Sequence, residues 1–435
     1  MLSTQSHVTL LAAIAALAGC TALESTDDSP TSSGDRLKSE GSQSFSGADG
    51  SSQTFSSAGS LDTGNPFFQP LGSNGRACVD CHQAAEGWTI TPAGVRAKFE
   101  ATGGTDILFR PHDAATSPRA DVSTVEARRE AYKLLLDRGL VRIGLAVQPT
   151  AEFEVVAIDD PYAFATPLLV SVYRRPLPTA NLAFATTINW DARTTLPDKT
   201  IFEDLVEQAN RANIGHGQAT FALTIEQRTA IAAFETTTFT ARRSVAKAGP
   251  LDADGALGGA RNVATQSFPL ADTFTAWLGA GEGSESARER SRIARGGRLF
   301  GEARIPRPDG SSASCASCHD QNNVGGGATM RATFDIGIAD ESRRSSDVPL
   351  YTLRNKATGE TRRTTDPGRG LITGKWSDVG RFKAPMLRDL AARPPYFHDG
   401  SAGSLEDVVE HYARRFQMDL TSSEKEDLVA FLNAL

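Results

Sequence analysis

The sequence predicts a mainly α-helical protein made of two similar domains with a minor β insertion. One short pattern, Cys-x-x-Cys-His, occurs twice, in widely separated parts of the chain. The segments around each copy have apolar residues at helical spacing, and near the C-terminus Ser404 and Thr421 are placed as helix N-caps. Short strand patterns at 141–147 and 153–158 account for the β insertion. The 435 residues are enough for two or three domains.

The repeated pattern reads Cys78-Val-Asp-Cys-His82 and Cys315-Ala-Ser-Cys-His319. Two thiols one helical turn apart can form thioethers to both vinyl groups of a haem, which leaves the next side chain aimed at the iron. The sequence therefore predicts two covalently bound c-type haems in two cytochrome c-like domains. The predicted attachment residues are Cys78, Cys81, Cys315 and Cys318. The predicted iron ligands are His82 and His319.

A zinc site built from the two Cys pairs is the alternative interpretation, since paired Cys-x-x-Cys groups also bind metal ions. It does not explain why a histidine follows each pair directly. The formal net charge of -7 and the absence of any run rich in Lys and Arg argue against nucleic acid as a partner.

The N-terminus has the features of an export signal. Residues 1–20 contain an apolar run, Val8 to Gly19, that is too short to span a bilayer and is typical of a signal peptide. Leu17-Ala-Gly-Cys20 resembles a bacterial lipoprotein signal, although no Lys or Arg precedes the run. We expect a periplasmic protein tethered to a membrane by lipidated Cys20. An ordinary cleaved signal with an incidental cysteine is the alternative.

Composition divides the rest of the chain. Residues 21–60 are rich in Ser, Gly, Thr and Asp and predict a disordered tether, because they have few apolar side chains to bury. The stretch from 247 to 259 is rich in Gly, Ala and Asp and marks the expected domain boundary. We therefore expect an N-terminal haem domain at 61–250 and a C-terminal haem domain at 260–435.

Four further blocks carry a family resemblance. They run from Arg174 to Asn181 (RRPLPTAN), from Asn189 to Arg193 (NWDAR), from Phe382 to Leu390 (FKAPMLRDL) and from Pro395 to Ser401 (PYFHDGS). Together with the two haem motifs, they resemble the bacterial di-haem cytochrome c peroxidase and MauG family. The resemblance covers about two thirds of the chain and omits the tether and the segment around 95–165.

The resemblance implies an enzyme. The haem on His82 would be peroxidatic, and the haem on His319 would transfer electrons. Trp190 falls where the family has an indole between the haems, and Gln208 matches a glutamine of the peroxide pocket. A plain core aromatic is the alternative for Trp190.

The implied reaction is reduction of hydrogen peroxide, with oxidation of a small electron-donor protein or of residues of a partner protein. A MauG-like variant would share high-valent iron between the two haems. A non-catalytic di-haem electron carrier remains the alternative function.

The distal acid/base departs from the family pattern. Ten residues beyond Gln208 the family has a glutamate, whereas this chain reads Ile214-Gly-His-Gly-Gln218. His216 is the nearest side chain that can move a proton near neutral pH, so we assign it this role. A loop-anchoring histidine is one alternative, and a shifted alignment would favour Gln218.

The resemblance also implies a sixth ligand on the second haem. Peroxidases of the family usually supply a methionine seven residues past the first Leu of the helix that follows the last block; in this chain that position, counted from Leu405, is Tyr412, the residue type that MauG uses there. Tyr412 lies on an apolar helix face, so a core role is the alternative. The competing ligands are Met330, Met386 and Met418.

Three further positions follow from the resemblance. No histidine follows His82 closely and the next is His112, so we expect an open coordination position on the first iron. Calcium is doubtful, because Arg175 stands where the family has a calcium-binding asparagine. His398 is expected to hydrogen-bond near the second haem without binding its iron.

Overall fold

A computed structural model describes residues 41–302, 304–307, 309–319, 322–326 and 332–435. The predicted signal peptide, Cys20, most of the predicted tether and Met330 lie outside these residues. About 34% of the structure is helical and 18% is strand. Helix therefore dominates as predicted, but the strand content exceeds a minor insertion.

Most of the longer helices begin at a Thr or Ser N-cap whose side chain accepts a backbone N–H in the first turn. The helices are α1 Pro92–Thr102, α2 Val125–Ala131, α3 Lys133–Arg138, α4 Ile201–Gly215, α5 Ile225–Thr237, α6 Ala260–Thr265, α7 Glu285–Gly301, α8 Gly370–Thr373, α9 Leu405–Arg415 and α10 Ser422–Ala434. Short 3₁₀ helices supplement them, including one at each Cys-x-x-Cys-His motif.

The strands are short and mostly antiparallel. They are β1 Ser42–Gly47, β2 Gly50–Ser56, β3 Val141–Ala146, β4 Phe153–Asp159, β5 Leu169–Arg174, β6 Thr238–Val245, β7 Gly249–Pro250, β8 Ile305–Pro306, β9 Ser312–Ala313, β10 Thr333–Phe334, β11 Leu350–Asn355, β12 Thr361–Thr364 and β13 Phe382–Lys383. The two strands predicted near 141–147 and 153–158 are confirmed as β3 and β4.

The predicted tether is wrong for its last part. Residues 42–56 form the hairpin β1–β2, and β2 pairs with β6 in a sheet of order β1-β2-β6-β7. Phe55 lies opposite Phe239 in this ladder, and the buried Thr54 hydroxyl accepts a hydrogen bond from the indole of Trp88. A segment with few apolar residues is thus ordered by backbone pairing with a strand far along the chain.

The β insertion is joined to the C-terminal part of the chain. Strand β3 pairs with β5, while β4 pairs with β11, which also pairs with β12. A core containing Phe153, Val172, Tyr351 and Leu353 lies between these elements. The two halves of the sequence are therefore connected by a shared sheet and a shared core.

The C-terminal helices pack closely against α7. A Cβ atom on Gly296 would lie 1.9 Å from the carbonyl oxygen of Asp427, so this crossing of α7 and α10 requires a glycine. The same core includes Val245 together with Trp277 and Phe431. Residues on both sides of the expected boundary thus share one core, and the division at 250–260 stays a prediction. In the described part of the chain, no helix is long and apolar enough to cross a membrane.

Candidate haem sites

The first motif forms a single tight turn. A 3₁₀ helix covers Cys78–Asp80, and the backbone N–H groups of Cys81 and His82 both donate to the carbonyl oxygen of Cys78, at 3.2 and 3.1 Å. Both thiols are free of disulfide bonds and line one cavity with His82, which we call the first cavity. The turn thus presents two thiols and an imidazole to the same space.

The second motif repeats this geometry. A 3₁₀ helix covers Cys315–Ser317, and the N–H groups of Cys318 and His319 donate to the carbonyl oxygen of Cys315, at 3.2 and 2.9 Å. These thiols are also free, and they line a second cavity with His319. Because each Cys pair lines its own cavity, the two pairs do not form the single zinc site considered as an alternative.

Both histidines are oriented in the same way. The Nδ1 atom of His82 lies 3.0 Å from the carbonyl oxygen of Trp88, and that of His319 lies 3.1 Å from the carbonyl oxygen of Gly325. Each carbonyl belongs to the residue six positions after its histidine. A carbonyl at Nδ1 requires a proton there and leaves the Nε2 lone pair available to a metal.

Burial keeps both imidazoles neutral. It lowers the pKa of His82 to about 4, and it also lowers the pKa of His319. The nearby His216 adds a small further lowering of the pKa of His82. A neutral imidazole is the form that binds iron, so both rings are prepared as ligands at neutral pH.

The cavities fit a large, mostly apolar planar group. The first encloses about 1430 Å³ of space between atoms and the second about 1960 Å³, part of it open to solvent. Apolar side chains form most of both linings. A haem in each cavity would be held by the two thiols as thioethers and by the histidine Nε2.

One set of residues lines both cavities, and we call it the shared wall. It consists of Arg175, Pro176, Leu177, Pro178, Trp190 and Lys383. The Trp190 indole is buried, and its N–H donates to the carbonyl oxygen of Arg175 at 2.8 Å. The structure thus places this predicted bridging residue between the two sites.

His216 lines the first cavity in a fixed orientation. Its Nδ1 atom lies 2.8 Å from Asp113 Oδ2, while the guanidinium of Arg76 binds both carboxylate oxygens at 2.8 and 2.7 Å. Burial alone would raise the pKa of Asp113, but hydrogen bonds with His112 and His216 and the charge of Arg76 outweigh it and lower this pKa. Asp113 is therefore an anionic acceptor at neutral pH.

The loop that carries His216 is held against the segment before the first motif. The side-chain amide of Asn74 donates to the carbonyl oxygen of His216 at 2.7 Å. A Cβ atom on Gly72 would lie 2.1 Å from the carbonyl oxygen of Gly217, so only glycine permits this approach. These contacts explain how a residue at the end of α4 reaches the first cavity.

The other predicted distal residues take different positions. Gln208, on α4, lines the first cavity with His216. Gln218 is exposed and is not among the residues lining that cavity, which removes it as the alternative acid/base. His112 is also absent from the lining, and its Nε2 atom lies 3.3 Å from Asp113.

Tyr412 lines the second cavity. Its ring centroid lies 6.5 Å from that of His319, and burial raises the pKa of its hydroxyl. Met418 lines the same cavity, whereas Met386 lines the first one and not the second. Of the predicted ligands that the structure describes, only Tyr412 and Met418 line the second cavity, so these two remain as candidates.

Arg175 belongs to the shared wall, and His398 lies beside it, 6.3 Å from Trp190 between ring centroids. The buried guanidinium of Arg175 donates to the carbonyl oxygens of Arg138 and Ile90, both at 2.9 Å, and burial lowers its pKa to about 9. It is therefore still cationic at pH 7. The His398 ring stacks on Phe382 at 4.2 Å and does not line either cavity. Within the described ranges, no group of three or more His, Cys, Asp or Glu could hold a metal ion.

Sequence reasoning missed two acidic residues of the first cavity. Asp113 ends a Pro-His-Asp turn, and its partners Arg76 and His216 come from distant segments. Only its position beside His112 offered a signal in the sequence. Glu235, on α5, has no such signal. Its side chain is buried, its Oε2 atom has no hydrogen-bond partner in the described part of the chain, and burial raises its pKa to about 8.

Replacing Glu235 with Gln should reduce the loss of stability at rising pH. Unfolding returns this carboxyl to a pKa near 4.5, so the unfolded chain releases a proton that the folded chain keeps until about pH 8. Native stability should therefore fall between these values and level off above pH 8. The free energy of unfolding of Glu235→Gln should therefore rise relative to that of the native protein by up to about 5 kcal/mol between these two pH values.

Urea unfolding of the holoproteins at pH 5, 6.5 and 8 measures this difference. Gln is the matched replacement, because it keeps the shape and a buried polar group while removing the titration. A stability difference that does not change with pH would show that Glu235 is ionised in the folded protein.

Two Cys-x-x-Cys-His motifs, each in its own largely apolar cavity, are typical of the class of proteins that bind two c-type haems. No family model matches the chain. The chain is 26% identical over 344 residues to the methylamine utilization protein MauG of Methylorubrum extorquens, which covers 75% of this chain and 83% of that protein. It is therefore a relative of MauG along most of its length.

Two peroxidases match over shorter stretches. The cytochrome-c peroxidase IdrP1 of Pseudomonas sp. strain SCT is 32% identical over 143 residues, which covers 28% of this chain and 36% of that protein. The cytochrome c551 peroxidase of Nitrosomonas europaea is 29% identical over 163 residues, which covers 37% of this chain and 38% of that protein. The chain thus spans under two fifths of the length of these two peroxidases. The resemblance to the cytochrome c peroxidase and MauG family is confirmed.

Among solved structures, a MauG-like protein associated with microbial copper homeostasis aligns with 85% of this chain and 86% of its own. The sequence identity is 18% and the TM-score 0.40.

Proposed function

We propose that this protein is a two-haem c-type peroxidase that reduces hydrogen peroxide. The observation that carries the proposal is the arrangement at the first cavity, where an Asp-oriented His216 and Gln208 line the same space as the first haem motif. The relatives named as peroxidases, and MauG, support the same activity. A haem bound there would supply an iron that can bind peroxide and exchange electrons.

The chain's own residues would handle the protons of the reaction. Asp113 keeps a proton on Nδ1 of His216, so Nε2 is free to take a proton from the inner oxygen of peroxide and return it to the outer one. The amide of Gln208 would orient the peroxide by hydrogen bonding. Departure of the outer oxygen as water completes this part of the reaction.

Trp190 would connect the two sites. It lines both cavities, and the hydrogen bond from its indole to the Arg175 carbonyl holds the ring in place. We propose that Trp190 would carry an electron from a haem in the second cavity towards the first cavity, so that the second oxidising equivalent of peroxide would be held at the second site. A MauG-like oxidation of a partner protein is the finer form of this proposal, and a small electron-donor protein is the other reductant it allows.

Spectroscopy of the purified holoprotein tests the activity. We expect a mass increase of two haems and a high-spin ferric signal that changes when peroxide is added. A protein with two low-spin haems that does not react with peroxide would instead be the electron carrier considered above. A mass without covalent haem would reject both functions.

We further propose that the protein is exported to the periplasm and that Cys20 is lipidated. The proposal is supported by the apolar run before this cysteine. Mass spectrometry of the mature N-terminus tests it. An unmodified cysteine within an intact leader would contradict both parts.

Replacing Tyr412 with Phe should change the spectrum of the second haem while leaving the first unchanged. The hydroxyl is the only polar atom of this side chain, and an anionic oxygen ligand donates more charge to iron than a thioether does. Electron paramagnetic resonance of the ferric protein resolves the two irons and measures the change.

Met418→Leu is the control for Tyr412→Phe, because Met418 is the other described candidate in the same cavity. It should leave both spectra unchanged. The opposite result, with the spectrum sensitive to Met418 and not to Tyr412, would assign the ligand to the methionine and Tyr412 to the core.

A further inference from the structure

Lys383 is a buried cation in the shared wall. The residue is 6% exposed, and it lines both cavities. The short strand β13 fixes its backbone, since Thr333 pairs with it and its N–H donates to the carbonyl oxygen of Trp190 at 2.9 Å. The Nζ atom donates to the carbonyl oxygen of Thr187 at 2.8 Å. The ammonium is therefore held at a defined place between the two sites.

No described carboxylate lies within ion-pair distance of this ammonium. Burial is the cause of its lowered pKa, about 8, and no acidic group offsets it. Arg174, which lines the first cavity nearby, contrasts with it, since Asp191 and Asp366 both bind its guanidinium. Burying a charge without a partner destabilises a folded protein, roughly as much as removing one partner from a buried ion pair does. The described side chains therefore supply no anionic partner for Lys383.

The lining of the second cavity shows the same imbalance. Among the described residues that line it, none is acidic, and the basic ones are Arg175, Arg307, Lys383 and Arg393. An occupant with an apolar body and acidic groups would complement such a lining. A haem has this chemistry, because its two propionate groups are carboxylates.

We propose that Lys383 is a shared counter-ion for carboxylate groups of both haems. The inference rests on the proposed occupancy of the two cavities and adds a role for a residue that neither motif contains. A positive charge near an iron favours its reduced form. One cation placed between two sites should therefore raise the reduction potential of both haems together.

Lys383→Met tests the proposal, because methionine fills a similar volume without the charge. The midpoint potential of each haem is measured by anaerobic spectroelectrochemistry at pH 7, without peroxide. We expect the ratio of oxidised to reduced form at a fixed potential to rise about tenfold at both haems, a shift of about 59 mV. Lys383→Arg keeps the charge and should stay within about threefold of the native ratio.

Arg307→Met is the matched control, since Arg307 lines the second cavity and not the first. It should shift the second haem alone. If Lys383→Met does not mature, Lys383→Gln gives the same reading, because its amide can still donate to Thr187. A shift at one haem only, or at neither, overturns the shared role.

These potentials do not depend on turnover, so the two proposals fail separately. Unchanged potentials with an intact peroxide reaction would remove the counter-ion role and leave the enzyme. Lower potentials at both haems in a protein that ignores peroxide would remove the peroxidase and keep the counter-ion.

Discussion

Replacing His216 with Ala should slow the reaction with hydrogen peroxide by about 10²- to 10⁴-fold, the usual contribution of a positioned acid/base. Among the described residues that line the first cavity, His216 has an imidazole that a carboxylate orients, and imidazole is a common general acid/base. Stopped-flow absorbance of the holoprotein measures the second-order rate constant. Haem content and the spectrum of the resting protein should not change, because the His216 side chain is 44% exposed and contributes little to packing.

Gln218→Ala is the control for His216→Ala, because this exposed residue lies two positions further along the same loop. Its rate constant should equal that of the native protein.

Asp113→Asn tests the orientation of the His216 ring. The amide keeps the shape of the carboxylate but no longer requires a proton on Nδ1, so a smaller loss of at least about tenfold is expected. Equal rates in His216→Ala and the native protein would assign proton transfer to another group. Glu235 would be the next candidate, because it lines the same cavity and burial raises its pKa to about 8.

The sequence is most informative where covalent chemistry demands fixed spacing. Both Cys-x-x-Cys-His motifs form the same tight turn, and this is the spacing that two thioether bonds to one haem would require. Trp190 lies in a family block, and Gln208 and Tyr412 are assigned from the same resemblance; the first cavity is lined by Gln208, the shared wall contains Trp190, and the second cavity is lined by Tyr412. Their roles remain predictions until they are tested.

The parts that the sequence could not predict depend on distant contacts. Asp113 meets His216 across 103 positions of the chain, and nothing in either segment encodes that pairing. Lys383 lies within a family block, but its lack of an acidic partner is visible only once the surrounding segments are packed. The sequence did not predict the β1–β2 hairpin for the same reason. Its order comes mainly from the ladder with β6, and of its own apolar residues Phe55 packs into the core beside Phe239.

Replacing Arg174 with Met should destabilise the folded protein by about 3–5 kcal/mol, the usual cost of removing one partner from a buried ionic group. Arg174 is fully buried at the end of β5, and its Nε atom lies 2.6 Å from Asp366 Oδ2 while Asp191 binds its other side. Burial alone would lower the pKa of this guanidinium, but the two aspartates outweigh it and raise the pKa. Without Arg174, two carboxylates would remain buried with much less compensation. Thermal and urea unfolding of the holoprotein measure the loss.

Arg354→Met is the matched control, since Arg354 binds Glu154 at an exposed site. The same substitution there should cost less than about 1 kcal/mol. The triple variant Arg174→Met, Asp191→Asn, Asp366→Asn separates two explanations of the loss at Arg174. If unpaired charge is the cause, the triple variant should regain part of the stability, because it contains no buried carboxylate at this place. If the triple variant is as unstable as Arg174→Met, the cause is instead the lost connection between β5 and the segments that contain Asp191 and Asp366, and the charges themselves matter little.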